Sequence, residues 1–344
     1  MSQSVLAGLP GHRSTTAHIQ AAYPFVAEGG LGGRGVYIGR DVYGGSFCYD
    51  PWELYGTELT SPNAVVIGMV GRAKSSLVKT YVWRQAVFGR QAWIVDVKGE
   101  YDRLCEAMRV VPIALSPGGR IRLNPLTPNG GTERQLGLLY SVCESALGRE
   151  LDPTEKKAAQ EALVTLDDRG DDEPTLRGVV ELLLEPTGEM GESMHLDVTA
   201  LREAARPMAY ALGQLCDGDL RGMFDGPTTP GLSLDAPLVV LNLSAVLNTR
   251  STALGILMTC ATAWLQAMIE ADRTARKRIV VVDEAWRILS NLGIGEWLQQ
   301  SFKLSRGLGT QNLVVMHRLS DLRAAGAEGS REVRLAEGLL ADAE

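Results

Sequence analysis

The sequence is poor in cysteine, in histidine and in net positive charge. Its 344 residues include five cysteines and four histidines. No C-x-x-C pair is present and no histidine lies near a cysteine, which indicates neither a zinc site nor a disulfide framework and favours a reducing compartment. The net charge of −7 and the pI near 5.3 exclude a surface that binds nucleic acid over a wide area. Any contact with DNA must therefore be local.

Targeting and membrane signals are also missing. The N-terminus has no charged start followed by an apolar stretch, and the longest apolar run, 253–269, is broken by Thr259, Thr262 and Gln266. These features predict neither a signal peptide nor a membrane span. The expected location is the cytoplasm, and peripheral attachment at the inner face of the cell membrane is left open.

The main feature of the sequence is a set of short apolar runs. The chain is 45% hydrophobic, which is enough to form a full core. Five runs rich in β-branched residues stand out: AVVIG, AWIVDV, LVVLNL, IVVVDE and NLVVM. Continuous apolarity is typical of strands covered on both faces, as in a parallel sheet flanked by helices. The predicted fold class is α/β.

Four regions are predicted along the chain. They are a flexible lead-in (1–36), an N-terminal hairpin with the first half of the α/β core (37–130), a mostly helical insertion (131–225) and the second half of the core (226–344). The hairpin is predicted from alternating polarity around Gly44 and Gly45, and a helix start in the insertion from Asp152 followed by Pro153. The last residues are helical in pattern with no strand after them, which predicts either a short homologue or a truncated core.

The stretch VVIGMVGRAKSSLVKT, Val65 to Thr80, is similar to a phosphate-binding loop. The pattern G-x-x-x-x-G-K-[ST] is matched by Gly68, Lys74 and Ser75, while Ala73 replaces the second glycine. A strand is predicted before the loop and a helix after it. Loop amides and the helix N-terminus would then direct positive partial charge at a phosphate.

This interpretation assigns roles in binding ATP and Mg²⁺. Lys74 contacts the β- and γ-phosphates, the Ser75 hydroxyl ligates Mg²⁺ and Ser76 contributes its amide. The other predicted nucleotide contacts in the loop are Gly68, Gly71, Arg72 and Ala73. A Cβ at position 73 is expected to cost on the order of 1 kcal/mol and to weaken binding. An ordinary tight strand-to-helix turn is the alternative for this loop taken alone.

A second motif, which is acidic, follows the run Ile279 to Val282 in RIVVVDEAWRIL. Ligands of open α/β sheets bind where strands end, and Asp283 and Glu284 stand at such an end. Asp283 is predicted to hold Mg²⁺, and Glu284 to orient or deprotonate the attacking water. A solvated helix start is the alternative for these two acids.

Taken together, GMVGRAKSSLVKT, WIVDVKGEY, the helical insertion, GMFDG, VVVDEAWRIL and VVMHRLSDL resemble a known family. The chain is similar, from about Tyr37 to Leu340, to the VirB/TraC-type conjugation ATPases of type IV secretion systems, within the HerA/FtsK superfamily of RecA-like motors and closest to their actinobacterial branch. The resemblance implies a RecA-like fold and a membrane-associated hexameric ATPase. It also implies as partners other copies of the chain, the conjugation or secretion machinery at the membrane, and DNA as a possible cargo.

The resemblance adds further site candidates. DVKGEY occupies the place of an Asp-Pro-x-Gly-Glu-Tyr type motif, which makes Asp96, Lys98 and Glu100 candidates at the edge of the site, although Val97 replaces the proline. A salt-linked surface loop is the alternative. Arg306 falls where related motors carry an arginine that reaches a neighbour's γ-phosphate, with a surface arginine as the alternative.

Gln311 and His317 flank the last apolar run. Met316-His317 aligns with a Thr-Gln pair that senses phosphate in relatives, and His317 could donate the glutamine's hydrogen bond or be structural. Gln311 is expected to precede the strand and to point away from the site.

Aromatic and basic residues outside these motifs are predicted to be structural. Trp83, Trp93 and Trp264 are expected in the core. The run RTARKR, 273–278, is expected to be a solvated loop rather than a contact with DNA or another subunit.

Three functions are compatible with these residues. The first is an ATPase that drives transfer of DNA or protein through a conjugation or secretion channel. The second is a DNA translocase of the HerA or FtsK kind. The third is a degenerate P-loop subunit with little or no turnover, which Ala73 favours and the intact pair Asp283 and Glu284 opposes.

Overall fold

A computed structural model describes residues 33–41, 44–127, 131–170, 173–247, 251–272, 276–285 and 309–317, with the single residues Thr15, Phe302, Lys303, Ser305, Gly307, Gly338 and Ala343. The predicted lead-in, 1–36, lies almost wholly outside the described residues. The chain divides into two compact units, residues 1–50 and residues 51–344.

The first unit contains the predicted hairpin. Strands β1 (Val36–Arg40) and β2 (Ser46–Tyr49) pair antiparallel, with a register shift between Tyr37 and Gly39. The turn is closed by the amide of Gly45, which donates to the Asp41 carboxylate at 2.8 Å. Gly44 has φ +86, a conformation that glycine reaches without a steric cost. The hairpin prediction is confirmed.

A six-stranded parallel sheet forms the centre of the second unit. Its strands are β3 (Ala64–Ile67), β4 (Gln91–Asp96), β5 (Ile113–Ala114), β6 (Leu238–Asn242), β7 (Arg278–Val282) and β8 (Thr310–Met316). They lie in the order β3-β8-β7-β4-β6-β5. In the middle of the sheet, Ile94 is level with Val240 on one side and with Val281 on the other. All five predicted runs are strands, and the two-residue β5 was not predicted.

Burial explains the apolar runs. Every residue of β4, β7 and β8 is buried, because helices cover both faces of the sheet. Strand β3 is only partly buried and is one of the two edge strands of the described sheet, with β5 at the other edge.

Within the described residues of the second unit, the α-helices are α1 (Pro51–Leu54), α2 (Lys74–Ala86), α3 (Asp102–Met108), α4 (Thr132–Leu147), α5 (Pro153–Arg169), α6 (Leu176–Leu184), α7 (Gly188–Met194), α8 (Val198–Gln214) and α9 (Ser251–Ala271). Helices α4 to α8 lie between β5 and β6. Helix α5 starts as predicted: Asp152 caps it, Pro153 is its first residue, and Glu155 completes a capping box.

One apolar core joins the helices of the insertion to the sheet. It includes Trp93 from β4, Leu163 from α5, Leu212 from α8 and Trp264 from α9. Of the described helices, α9 has one window, Ala253–Ala271, that is long and apolar enough to cross a membrane, and 89% of that window is buried inside the protein. A buried core helix passes the same test, so the window is weak evidence for a span.

The core predictions for tryptophan hold at two positions and fail at one. Trp93 and Trp264 are buried, but Trp83 is 46% exposed. Helix α2 buries Val78, Tyr81 and Val82, which places Trp83 on the opposite face.

The basic run 273–278 is not uniformly solvated. Arg278 is buried as the first residue of β7, and its Nε donates to Gln91 Oε1 at 2.7 Å. Arg276 pairs with Asp235 at the surface.

Candidate active site

The loop between β3 and α2 has the backbone that its sequence pattern predicts. Gly71 has φ +75, and Ala73, at the start of α2, has φ +60 and ψ 20. A non-glycine residue in this left-handed region costs roughly 1–2 kcal/mol. Ala73 therefore replaces the consensus glycine at a position whose positive φ favours glycine.

Lys74 crosses back over the loop. A Cβ on Gly68 would lie 3.3 Å from Lys74 Cγ, so Gly68 leaves room for the lysine stem. The Lys74 ammonium group donates to Met69 O at 3.2 Å and lies 3.1 Å from His317 Nδ1. The ammonium group of the P-loop lysine is thus held between the loop backbone and His317.

The two acids after β7 lie at the carboxyl end of the sheet, and both are 4% exposed. Asp283 accepts a hydrogen bond from the Glu284 amide at 2.9 Å and one from the Tyr101 hydroxyl at 3.4 Å. Burial, and next the charge of Glu284, raise the pKa of Asp283 to about 6. A buried carboxylate without a full counter-charge is the group that a divalent cation stabilises.

Glu284 is held between two basic side chains. Lys98 Nζ lies 2.6 Å from Glu284 Oε1, and His317 Nε2 lies 3.0 Å from Oε1 and 3.1 Å from Oε2. An ammonium group only donates, so His317 Nδ1 accepts from Lys74, and Nε2 carries the proton donated to Glu284. We call Lys98, Glu284, His317 and Lys74 the polar chain.

The pKa of Lys98 reflects this arrangement. Burial lowers it, but the hydrogen bond with Glu284 and the charges of nearby carboxylates outweigh burial and raise it. Lys98 therefore remains an ammonium group opposite Glu284.

Asp96 shapes the loop that carries Lys98. Its Oδ1 accepts from the amides of Lys98, Gly99 and Glu100, and its Oδ2 from the amide of Tyr101. Burial raises the pKa of Asp96, and the four backbone hydrogen bonds act against that rise. Asp96 was a candidate at the edge of the nucleotide site; its carboxylate accepts the hydrogen bonds of this loop and does not line the cleft.

A cleft of about 380 Å³ brings most of the predicted residues together. Its described lining residues are Val70, Gly71, Ala73, Lys74, Ser75, Ser76, Lys79, Lys98, Glu100, Asp283, Glu284 and His317. Gly68 and Arg72 are outside this lining, and Arg306 lies outside the described residues.

Sequence reasoning missed Lys79 and Tyr101. Lys79 lines the cleft, pairs with Glu100 at 3.8 Å and lies over the Tyr101 ring. It is four residues after Ser75 on α2, a spacing that puts both on one helix face. Helical spacing could therefore have identified it.

Backbone strain is concentrated at the cleft. The described non-glycine residues with positive φ are Ala73, Arg109, His195 and Glu284. Arg109 and His195 terminate helices, where this conformation is common. Ala73 and Glu284 both line the cleft, and strained residues of this kind cluster at functional sites.

Gln311 was predicted to precede the strand, which is wrong, and to point away from the site, which agrees with the structure. It lies within β8, which begins at Thr310, and its Oε1 accepts from the Tyr81 hydroxyl at 2.8 Å. It is buried in the core and absent from the cleft lining.

No protein-family model and no curated protein matches the chain. Among solved structures, VirB4 of Thermoanaerobacter pseudethanolicus is similar over 92% of this chain and 84% of its own, with a TM-score of 0.74 and 21% identity. Plasmid coupling protein TrwB with the ATP analogue ADPNP is similar over 98% of this chain and 79% of its own, with a TM-score of 0.54 and 16% identity. TrwB with ADP and Mg²⁺ matches over 82% of this chain and 68% of its own, with a TM-score of 0.54 and 14% identity. The chain has the fold of these proteins, which confirms the predicted RecA-like class, a mostly parallel sheet flanked by helices.

Proposed function

We propose that the chain is an ATP-hydrolysing motor that energises transfer of DNA or protein through a conjugation or type IV secretion channel. The observation that carries the proposal is the polar chain, in which one cleft joins the P-loop lysine, Lys74, to a buried carboxylate, Glu284. The fold shared with VirB4 and TrwB supports it. Placement in the HerA/FtsK superfamily and its actinobacterial branch stays a prediction.

The residues present fit ATP with Mg²⁺. Among the described residues, no group of three or more His, Cys, Asp or Glu side chains could hold a metal alone. Mg²⁺ in nucleotide sites is held by one or two protein groups together with substrate phosphates, and Ser75 and Asp283 are such groups. TrwB has been solved with ADPNP and with ADP and Mg²⁺, which supports the same ligands here.

The side chains would act as follows. The metal supplies charge that neutralises the phosphates in the reaction. Lys74 and the amides at the start of α2 bind the phosphates, and Glu284 orients the attacking water. Lys98 and His317 hold the Glu284 carboxylate in place. Arg306 of a neighbouring copy would complete the site in a hexamer, at the inner face of the cell membrane.

Two further functions each have a feature in their favour. The left-handed Ala73 favours a structural subunit that binds ATP weakly or does not turn it over. Likeness to a plasmid coupling protein favours a DNA translocase, for which DNA would stimulate ATPase activity without secretion partners.

Titration of Mg-ATP separates the motor from the silent subunit. Affinity and steady-state hydrolysis are measured for the wild type and for Ala73→Gly, with Glu284→Gln as the blank. The proposal expects the wild type to bind and hydrolyse ATP, and glycine to improve affinity by no more than about tenfold, or roughly 1.4 kcal/mol. A wild type that neither binds nor hydrolyses, with binding restored by glycine, would establish the silent subunit instead.

A further inference from the structure

The two side chains that the proposed function assigns to Mg²⁺ belong to different elements of the fold. Ser75 lies in the first turn of α2, and Asp283 follows β7; both line the candidate active-site cleft. A metal site on separate elements works only if other contacts hold its ligands at fixed positions. Lys79 and Tyr101, which have no role in the proposed reaction so far, make such contacts.

Tyr101 contacts Asp283 without lining the cleft. It is 0% exposed and is not among the described lining residues. Its hydroxyl donates to Asp283 Oδ2, and its backbone amide donates to Asp96 Oδ2 at 3.1 Å. Asp96 ends β4 and Asp283 follows β7, and these strands are neighbours in the sheet. Tyr101 can therefore act on a bound ligand only through Asp283.

The hydrogen bonds of Asp283 determine how its carboxylate is oriented. Oδ1 accepts from the Glu284 amide at 2.9 Å, and Oδ2 accepts from the Tyr101 hydroxyl at 3.4 Å. Each carboxylate oxygen has a second lone pair, which leaves acceptor capacity for a cation. The contact with Tyr101 is at the long end of the hydrogen-bond range. Its strength therefore depends closely on the position of the Tyr101 ring.

Lys79 holds that ring from the side of the cleft. Its Nζ lies 5.1 Å from the centre of the Tyr101 ring, within the range of a cation–π contact. The same Nζ lies 3.8 Å from Glu100 Oε2, but both side chains are partly exposed, and such an ion pair alone contributes little. Lys79 follows Ser75 by about one turn of α2. Lys79 and Tyr101 thus connect the helix that carries Ser75 to the carboxylate of Asp283.

We propose that Tyr101, held in place by Lys79, is a positioning residue that orients Asp283 toward the Mg²⁺ of the bound nucleotide. The inference rests on the proposed function and adds to it the groups that set the affinity for the metal. Tyr101 acts through Asp283, and Lys79 acts through Tyr101. Their loss should therefore weaken the binding of Mg²⁺ and leave unchanged the binding of the phosphates by Lys74 and the start of α2.

Binding of mant-ADP, measured by fluorescence in EDTA and again in saturating Mg²⁺, tests the role of Tyr101. We call the ratio of the two affinities the Mg²⁺ gain. Tyr101→Phe is expected to lower the Mg²⁺ gain about tenfold, since loss of an outer-shell partner lowers metal affinity about 10- to 100-fold. Affinity in EDTA should not change. Tyr81→Phe is the matched control, because it removes a buried hydroxyl of α2 that donates to Gln311 outside the cleft.

Variants of Lys79 test the second step. Lys79→Met is expected to lower the Mg²⁺ gain about two- to fivefold, the equivalent of one partly exposed cation–π contact. Lys79→Arg should recover most of the gain, because a guanidinium group also binds the face of an aromatic ring. The double variant Lys79→Met/Tyr101→Phe should have the gain of Tyr101→Phe alone, since without the hydroxyl the position of the ring no longer matters.

Three results would overturn the inference: a wild type with no Mg²⁺ gain, an unchanged gain in Tyr101→Phe, or an equal loss of affinity in EDTA and in Mg²⁺, which would make the effect of Tyr101 purely structural. A loss in EDTA for Lys79→Met would assign Lys79 to the phosphates and overturn its part.

ATP hydrolysis by the wild type is recorded on the same preparations. Hydrolysis together with an unchanged Mg²⁺ gain in Tyr101→Phe contradicts only the inference. A Mg²⁺ gain that Tyr101→Phe lowers, in a wild type that does not hydrolyse ATP, contradicts only the motor. A wild type that binds no mant-ADP contradicts both.

Discussion

Lys98 Nζ lies 2.6 Å from Glu284 Oε1 although the two residues are 186 positions apart in the chain. We expect Lys98→Met to lower kcat roughly 10- to 100-fold, because a hydrogen bond to a charged group contributes about 1.5–3 kcal/mol. KM for ATP should change little, since Lys98 acts through Glu284. Steady-state kinetics measure both constants.

Lys98→Arg is the matched variant, because it keeps the charge and is expected to recover part of kcat. If Lys98→Met hydrolyses ATP faster than the wild type, the ion pair restrains Glu284 instead of positioning it. An unchanged kcat would remove Lys98 from the mechanism.

His317 offers one acceptor to Lys74 and one donor to Glu284. A glutamine amide offers the same pair of groups, whereas alanine offers neither. His317→Gln should therefore keep most of the activity, and His317→Ala should lose roughly tenfold, the equivalent of one net hydrogen bond of about 1.4 kcal/mol. Single-turnover hydrolysis compares the two. Equal activity in both variants would assign His317 a purely structural role.

Asp283→Asn is expected to stabilise the metal-free protein while it abolishes Mg²⁺-dependent hydrolysis. The pKa of Asp283 rises from 3.8 to about 6 on folding, so the folded chain binds the proton more tightly than the unfolded chain. Stability therefore falls as pH rises from about 4 to about 6. Above that window the buried carboxylate costs about 3 kcal/mol, which asparagine avoids.

Urea unfolding in EDTA measures this gain, which should be small at pH 4 and full at pH 7.5. A variant less stable than the wild type at pH 7.5 would mean that the hydrogen bonds from Glu284 and Tyr101 outweigh the cost of burial.

Gly222→Ala should destabilise the protein by about 1–3 kcal/mol, the range for overpacking a tight contact. The added Cβ would meet backbone atoms of Gly118 and Gly119 at 3.0–3.1 Å. Gly218→Ala is the control, because a Cβ there meets nothing within 4 Å. Thermal unfolding compares the two variants. Equal melting temperatures would show that neither the positive φ of residue 222 nor its contact with the loop before α4 carries a cost.

The fold could be predicted where local pattern determines structure. Five strands are visible as continuous apolar runs, and the P-loop as a spacing of glycine, lysine and serine. Trp83 was placed wrongly because a helical pattern does not say which face meets the sheet. The contact of His317 with Glu284 depends on β8 lying beside β7, and the order of strands in a sheet is not encoded in either segment alone. Asp96 was named a site candidate from its position after a strand. The sequence does not show that its carboxylate accepts hydrogen bonds from the backbone amides of the following loop.

The order of strands has a mechanical consequence. Lys74, His317, Glu284 and Lys98 follow β3, β8, β7 and β4 respectively, the order in which these strands lie side by side. Parallel strands are about 4.8 Å apart, so the four groups span about 14 Å across the sheet edge. Sliding of β8 or β4 against β7 by 1 Å, about a third of a hydrogen-bond length, would separate a contact of the Glu284 carboxylate, and sliding of β3 against β8 would separate Lys74 from His317. The position of the acid proposed to prepare water for attack therefore depends on the register of three neighbouring strands, β8, β7 and β4.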